Sequence, residues 1–176
     1  MIFRQILHPA TGCASYVFGC TGKQKLAAVD PHAAHIDDYL AVAEAAASPI
    51  VAIFETHLHA DHPSGAAELA RRTGAPVYLY QGTEVDFPHT PVRDGDEVPL
   101  GNDYVRVLHT PGHSPHSMSL LVGDRVRGDA HWFILTGDAV RRRRGPSRPH
   151  RRRHRRRSGW RRFGPVRQPA EAAGAA

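Results

Sequence analysis

The segment Thr56-His57-Leu58-His59-Ala60-Asp61-His62 packs three imidazoles and one carboxylate into six positions, 57 to 62. In an extended segment, residues two apart project to the same side. His57, His59 and Asp61 can therefore converge on one point while His62 enters from the start of the next helix. Taken singly, each histidine is an ordinary exposed or hydrogen-bonded side chain. Together, at the carboxyl end of an apolar run where open α/β sheets place their ligands, they make a metal cradle. The other histidines lack such company. His8, His32, His35, His89 and His131 read as surface or capping side chains. Cys13 and Cys20 are too sparse for a disulfide framework and read as reduced thiols.

A cradle of this kind needs rigid elements under it. Ser15 to Phe18 and Leu26 to Val29 read as strands separated by a polar turn at Gly22 and Lys23. Ile36 to Ala47 is rich in helix formers, with Ile36, Leu40 and Ala43 spaced for one buried face, and Ser48 and Pro49 end it. The continuous apolar run Ile50 to Glu55 is expected of a strand covered on both faces. A second helix should open at Pro63, whose fixed φ suits the first helical position, and close at Gly74 ahead of Pro76. Val77 to Tyr80 reads as a buried strand, and 94–103 as two turns around a short one. Tyr104 to His109, Met118 to Val122 and Trp132 to Thr136 complete the strands. The alternation of strands, turns and alanine-rich helices is that of a layered α/β domain spanning residues 1–140.

Charge divides the chain at the same place. Residues 1–140 hold 9 Lys and Arg against 16 Asp and Glu, a net of −7, whereas 141–176 hold 14 Arg against one Glu, a net of +13. The second segment has almost no core-forming residues and reads as a disordered arginine-rich tail. An arginine run of this kind could bind nucleic acid without sequence preference. No stretch is apolar enough for a membrane span, and the start lacks the pattern of a secretory signal, so a soluble cytoplasmic protein is expected.

The motif THLHADH resembles the HxHxDH signature of the metallo-β-lactamase superfamily. Two further stretches resemble its later ligand loops in the right order: His109-Thr110-Pro111-Gly112-His113-Ser114 and Leu135-Thr136-Gly137-Asp138-Ala139. Within the superfamily, the segments IFRQ, ETHLHADHPSG, GAPVY, DGDEVPLGN and HTPGHSPHSMSLLV are most similar to persulfide dioxygenases. That resemblance implies the N-terminal half of an αββα sandwich. It also implies one iron(II) held by His57, His113 and Asp138, with glutathione persulfide oxidised at its outer sulfur. Two histidines and a carboxylate leave iron positions open for a substrate sulfur and dioxygen. The alternative, hydroxyacylglutathione hydrolase, would use two zincs to split a thioester through a metal-activated hydroxide. His57, His59 and His113 would hold one zinc, Asp61 and His62 the other, with Asp138 bridging and Asp61 counted among the catalytic residues. His116 departs from the family, which usually has a small residue there.

The resemblance ends at Ala139. The family continues with a glycine-rich turn holding G-R-x-D, whose arginine grips glutathione, and then with the second half of the sandwich. Permitted codons for Arg141 to His150, read one base out of frame, spell Val-Gly-Gly-Val-Gly-Arg-Pro-Asp-Leu. The tail is therefore expected to derive from a frame slip. A half-sandwich without its second half should leave the inner face of its sheet and at least one edge open, and should self-associate.

Overall fold

The computed structural model describes residues 1–128 and 130–139. The arginine-rich segment, with the disorder, frame-slip and nucleic-acid readings placed on it, lies outside these residues. Among the described residues, ten strands form two sheets. The first holds β1 (Ile2–Leu7), β2 (Ala14–Cys20), β3 (Lys25–Val29), β4 (Ile50–Phe54), β5 (Val77–Tyr80) and β6 (Thr90–Val92), in that spatial order. Its β1–β2–β3 part is antiparallel, and β3 to β6 run parallel. The second sheet is antiparallel with order β10-β9-β8-β7, made of β7 (Glu97–Leu100), β8 (Asp103–His109), β9 (Met118–Asp124) and β10 (His131–Leu135).

Side-chain alternation builds two cores from the first sheet. Phe18, Ala27, Val29, Ala52 and Phe54 point to the second sheet, where Val98, Val105, Val107, Leu120 and Val122 meet them. Val17, Leu26, Ala28 and Ile53 point the other way, onto α1 (Ile36–Ala45) and α2 (Ala66–Thr73). The apolar run at residues 50–54 is thus covered on both faces, as its composition requires.

The layering corrects one expectation. The inner face of the first sheet is covered, by the second sheet, so the described residues make three layers, helices on sheet on sheet, and not two. What has no helical layer among them is the outer face of the second sheet. There Ile134, Leu121, Arg106 and Glu97 lie in one row across β10, β9, β8 and β7, and Trp132 and Ile134 are exposed.

Element ends differ from expectation for local reasons. α1 stops at Ala45, two residues early, because Ala47 turns left-handed (φ +46°) and Ser48 N–H bonds back to Ala43 O. Its most buried residue is Tyr39, whose hydroxyl contacts Ser15 Oγ at 2.8 Å and accepts from His32 N–H at 2.8 Å; Leu40 and Ala43 are only partly buried. α2 begins at Ala66 rather than Pro63, since Ala33 N–H bonds Pro63 O, Gly65 N–H bonds Pro31 O, and His32 bridges Ser64. A Cβ at Gly65 would sit 2.8 Å from Ile36 Cδ1 and 3.0 Å from the His32 backbone, so the two segments cross closely there. β1 and β6 escape the pattern reading because β1 is an edge strand exposed at most positions and β6 is three residues long and contains Pro91.

One buried group opposes folding at neutral pH. Asp103 lies opposite Asp124 across β8 and β9, its Oδ2 buried with no hydrogen-bond partner among the described residues. Burial, and then the Asp124 charge, push its carboxyl up to about 6. A carboxyl raised in the folded state favours folding when protonated, and that advantage is lost as pH rises from the unfolded value toward about 6. Asp103→Asn should therefore stabilise the fold at pH ~7.5 by about 2 kcal/mol and make no difference below about pH 4. Thermal melts of both proteins at the two pH values check this; equal stability throughout would remove Asp103 as a strained site.

Candidate metal centre

The first wall of the site is built where β3 and β4 end side by side. Asp30, following β3 in a left-handed turn (φ +49°), accepts from Thr56 N–H at 2.7 Å and from Thr56 Oγ1–H at 2.8 Å. The threonine proton is thereby committed to Asp30. Thr56 Oγ1 can then only accept from His57 Nδ1–H, 2.9 Å away. This chain of bonds fixes the His57 tautomer and leaves the lone pair on Nε2. Burial, and then the neighbouring His59, lower the pKa of His57, which keeps it neutral and able to bind metal.

The second and third donors arrive on loops tied to that wall. His113 stands in the connection from β8 to β9, a loop closed by Thr110 N–H to Ser117 O, Ser114 N–H to Ser117 Oγ and Gly112 N–H to Ser114 O. At its end Met118 N–H bonds Thr56 O at 2.8 Å, docking the loop on the first motif. Asp138 stands in the short turn Gly137–Ala139 after β10. Gly137 has φ +48°, and a Cβ there would collide with Thr56 Oγ1 and lie 2.8 Å from Thr56 Cβ, so only glycine lets this turn close against the threonine. The His57 and His113 rings meet edge to face at 4.9 Å, and His113 Nε2 is 3.8 Å from Asp138 Oδ2. One donor atom from each of His57, His113 and Asp138 lies within 4.8 Å of the others.

His59, Asp61 and His62 line the same cavity of about 420 Å³ as His57 and Asp138. His59 Nε2 is 3.0 Å from Glu55 Oε2 and 3.3 Å from Asp30 Oδ1. Burial lowers its pKa, but hydrogen bonds to Asp30 and Glu55 and their charges overcome this and raise it to about 10. Asp61 Oδ1 is 3.0 Å from His62 Nδ1, and that bond holds the Asp61 carboxyl below its ordinary range.

The structure thus gathers His57, His113 and Asp138 into one donor set and keeps His59 with Asp30 and Glu55. His116 packs against the backbone at Gly82, its Nε2 3.2 Å from where a Cβ would be, in place of reaching the donor set. Sequence reading missed Asp30, Glu55 and Cys13, each of which adjoins the motif. Asp30 carried a signal, an acid directly after a strand that pairs with β4. His32 is buried rather than at the surface, although it does cap: its Nδ1 accepts from Ala34 N–H, and its ring stacks on His8 at 4.2 Å and on His62 at 4.9 Å.

Comparison with known proteins agrees with this geometry. The chain is 34% identical over 134 residues to a hydroxyacylglutathione hydrolase of Rhodospirillum rubrum, covering 70% of this chain and 52% of that protein. It spans about half the length of the first curated relatives it matches. Among solved structures, it resembles ETHE1 from Myxococcus xanthus with 33% identity and a TM-score of 0.70, covering 80% of this chain and 58% of that one. A metallo-beta-lactamase from Staphylococcus aureus subsp. aureus COL matches with 30% identity and a TM-score of 0.72, covering 77% and 42%. Residues 18–173 match the family description "Metallo-beta-lactamase superfamily". With that match and the three ligand loops in place, the chain belongs to the metallo-beta-lactamase superfamily.

Proposed function

We propose that this chain carries the metal-binding half of a glutathione-persulfide dioxygenase, with His57, His113 and Asp138 as the ligands of one iron(II). The observation that carries the reading is the convergence of those three donors, two imidazole nitrogens and one carboxylate, while His59 is grouped with Asp30 and Glu55. That donor set fits iron(II) of the open-sided kind. The likeness to ETHE1 from Myxococcus xanthus is consistent with it. When bound, the iron supplies a centre at which the outer sulfur and dioxygen can meet. The net reaction takes glutathione persulfide, dioxygen and water to glutathione and sulfite with release of two protons. The chain's own part is to hold the donors: Asp30 and Thr56 fix the His57 tautomer, and Gly137 lets the Asp138 turn close on Thr56. No arginine for gripping glutathione can be assigned among the described residues.

The hydrolase reading has its own support. The first curated relative is a hydroxyacylglutathione hydrolase, and the His59 ring lies 4.3 Å from that of His57, where the two could share a zinc with His113. The two readings separate by metal analysis and turnover of the 176-residue chain from iron-supplemented cells. We expect about one iron per chain, on the triad donors. Oxygen uptake should follow glutathione persulfide. Two zincs with thioester hydrolysis, and no oxygen uptake, would replace the dioxygenase by the hydrolase.

A further inference from the structure

A sheet edge presents a row of unpaired N–H and C=O groups, and folded chains protect it with proline, charge or brevity. Among the described residues the two sheets have their edges at β1 and β6, and at β7 and β10. β6 is three residues long with Pro91 at its centre, and β7 carries Glu97 and Pro99. β1 carries the exposed Arg4 near its middle. β10, with the sequence His-Trp-Phe-Ile-Leu, has no proline and no Lys, Arg, Asp or Glu. It is the edge left open.

Apolar surface collects at the same edge. Of the large apolar side chains exposed among the described residues, Phe3, Leu7, Trp132 and Ile134 lie on β1 and β10, whereas only Leu58 and Val126 lie elsewhere. The two strands meet there, with the Phe3 and Phe133 rings edge to face at 5.0 Å. A groove of about 480 Å³ runs along them, lined by Phe3, Tyr16, Trp132, Phe133 and Ile134. A bulge between His131 and Phe133 leaves Trp132 out of the ladder to β9, with the Arg127 guanidinium 4.3 Å over its ring. Residues 133–135 keep regular register, so the bulge does not twist the whole edge away.

We propose that β10 is a dimerisation edge, and that its occupant is β10 of a second copy of this chain, paired antiparallel about a two-fold axis. The strand is complementary to itself. With the axis at Ile134, the two Ile134 side chains meet, Phe133 faces Leu135 of the second copy, and no like charges are opposed. Trp132, two residues from Ile134, falls within the diagonal reach that an aromatic side chain spans. Because the same surface serves both copies, pairing uses up both open edges and growth stops at two. The two four-stranded sheets then join into one of eight strands. None of the residues invoked is a metal donor, so the dimer stands whether the triad serves a dioxygenase or a hydrolase.

The test is sedimentation velocity of the 176-residue chain over a roughly hundredfold range of concentration, where mass action shifts a reversible dimer. The expected result is a monomer–dimer equilibrium that saturates at two copies. Ile134→Lys, which sets two ammonium groups opposite one another at the axis, should weaken the dimer by at least about 30-fold, the scale of a hot-spot residue. Leu7→Lys, at a more exposed apolar position on β1, should leave it unchanged. Deuterium exchange of the unaltered chain needs no substitution: the amides of residues 131–135 should exchange more slowly at high than at low concentration, and those of β6 should not. A monomer at every concentration, the result if the segment beyond residue 139 covers β10, would overturn the proposal. So would association that continues past two copies, a dimer that survives Ile134→Lys or is lost in Leu7→Lys, or β10 exchange independent of concentration. Oxygen uptake and thioester hydrolysis, which decide the reaction, have no bearing on these readouts.

Discussion

His113→Ala should lower iron retention by about 100-fold or more, whereas His116→Ala should change it by less than about threefold, given that lost supporting contacts typically cost 10- to 100-fold and His116 makes none to the donors. The contrast comes from a three-residue difference in position within one loop. His113 stands edge to face with His57 and 3.8 Å from Asp138, so its loss opens the triad. His116 packs at Gly82 and is in none of the donor groups among the described residues. Iron measured after dialysis against a weak chelator gives both values. Equal losses would mean the loop has been assigned to the wrong histidine.

Gly137→Ala should weaken iron binding by about 10- to 100-fold while leaving the sheets intact, an effect on the scale of losing a ligand's supporting contacts. Alanine in the left-handed region costs roughly 1–2 kcal/mol by itself. The larger effect is the collision of the new methyl with Thr56. Relief requires either Thr56 or the Asp138 turn to move. The first breaks the bonds from Asp30 through Thr56 to His57, and the second withdraws the Asp138 carboxylate from the donor set. Far-ultraviolet circular dichroism should match the parent, and iron affinity should not. If affinity were unchanged, the tight closure of the turn on Thr56 would have no role in holding metal.

The parts of the fold with strong local patterns were legible from sequence. The run at residues 50–54 announced a strand buried on both faces, and Gly74 announced the end of α2, where it takes φ +74°. The metal motif was legible because its donors are crowded into six positions. What was hidden depended on partners distant in sequence. Nothing local marks β1 as a strand; it pairs with β2 along the sheet edge. Nothing local shows that Tyr39 is the anchor of α1, since its hydroxyl is satisfied by Ser15 and the His32 backbone. The covering of the first sheet was misjudged for the same reason: strands β7 to β10 were visible, but not that they form a separate layer against it. Cys13 reached the metal cavity through a turn 48 residues away from Asp61, a distance no motif spans.

The three triad donors come from three separate connections, after β4, between β8 and β9, and after β10. His57 comes from the first sheet and His113 and Asp138 from the second, so the set closes only when the two sheets have docked. Ion occupancy is therefore a report on the whole packed structure, because an unfolded chain offers the same side chains but not their convergence. By mass action, an ion present at 1,000 times its dissociation constant would add about 4 kcal/mol to the stability of the folded state. For a chain whose described residues place no helical layer on the outer face of the second sheet, that coupling makes metal supply during synthesis a determinant of how much folded protein accumulates. A chelator would then act on this protein as a denaturant.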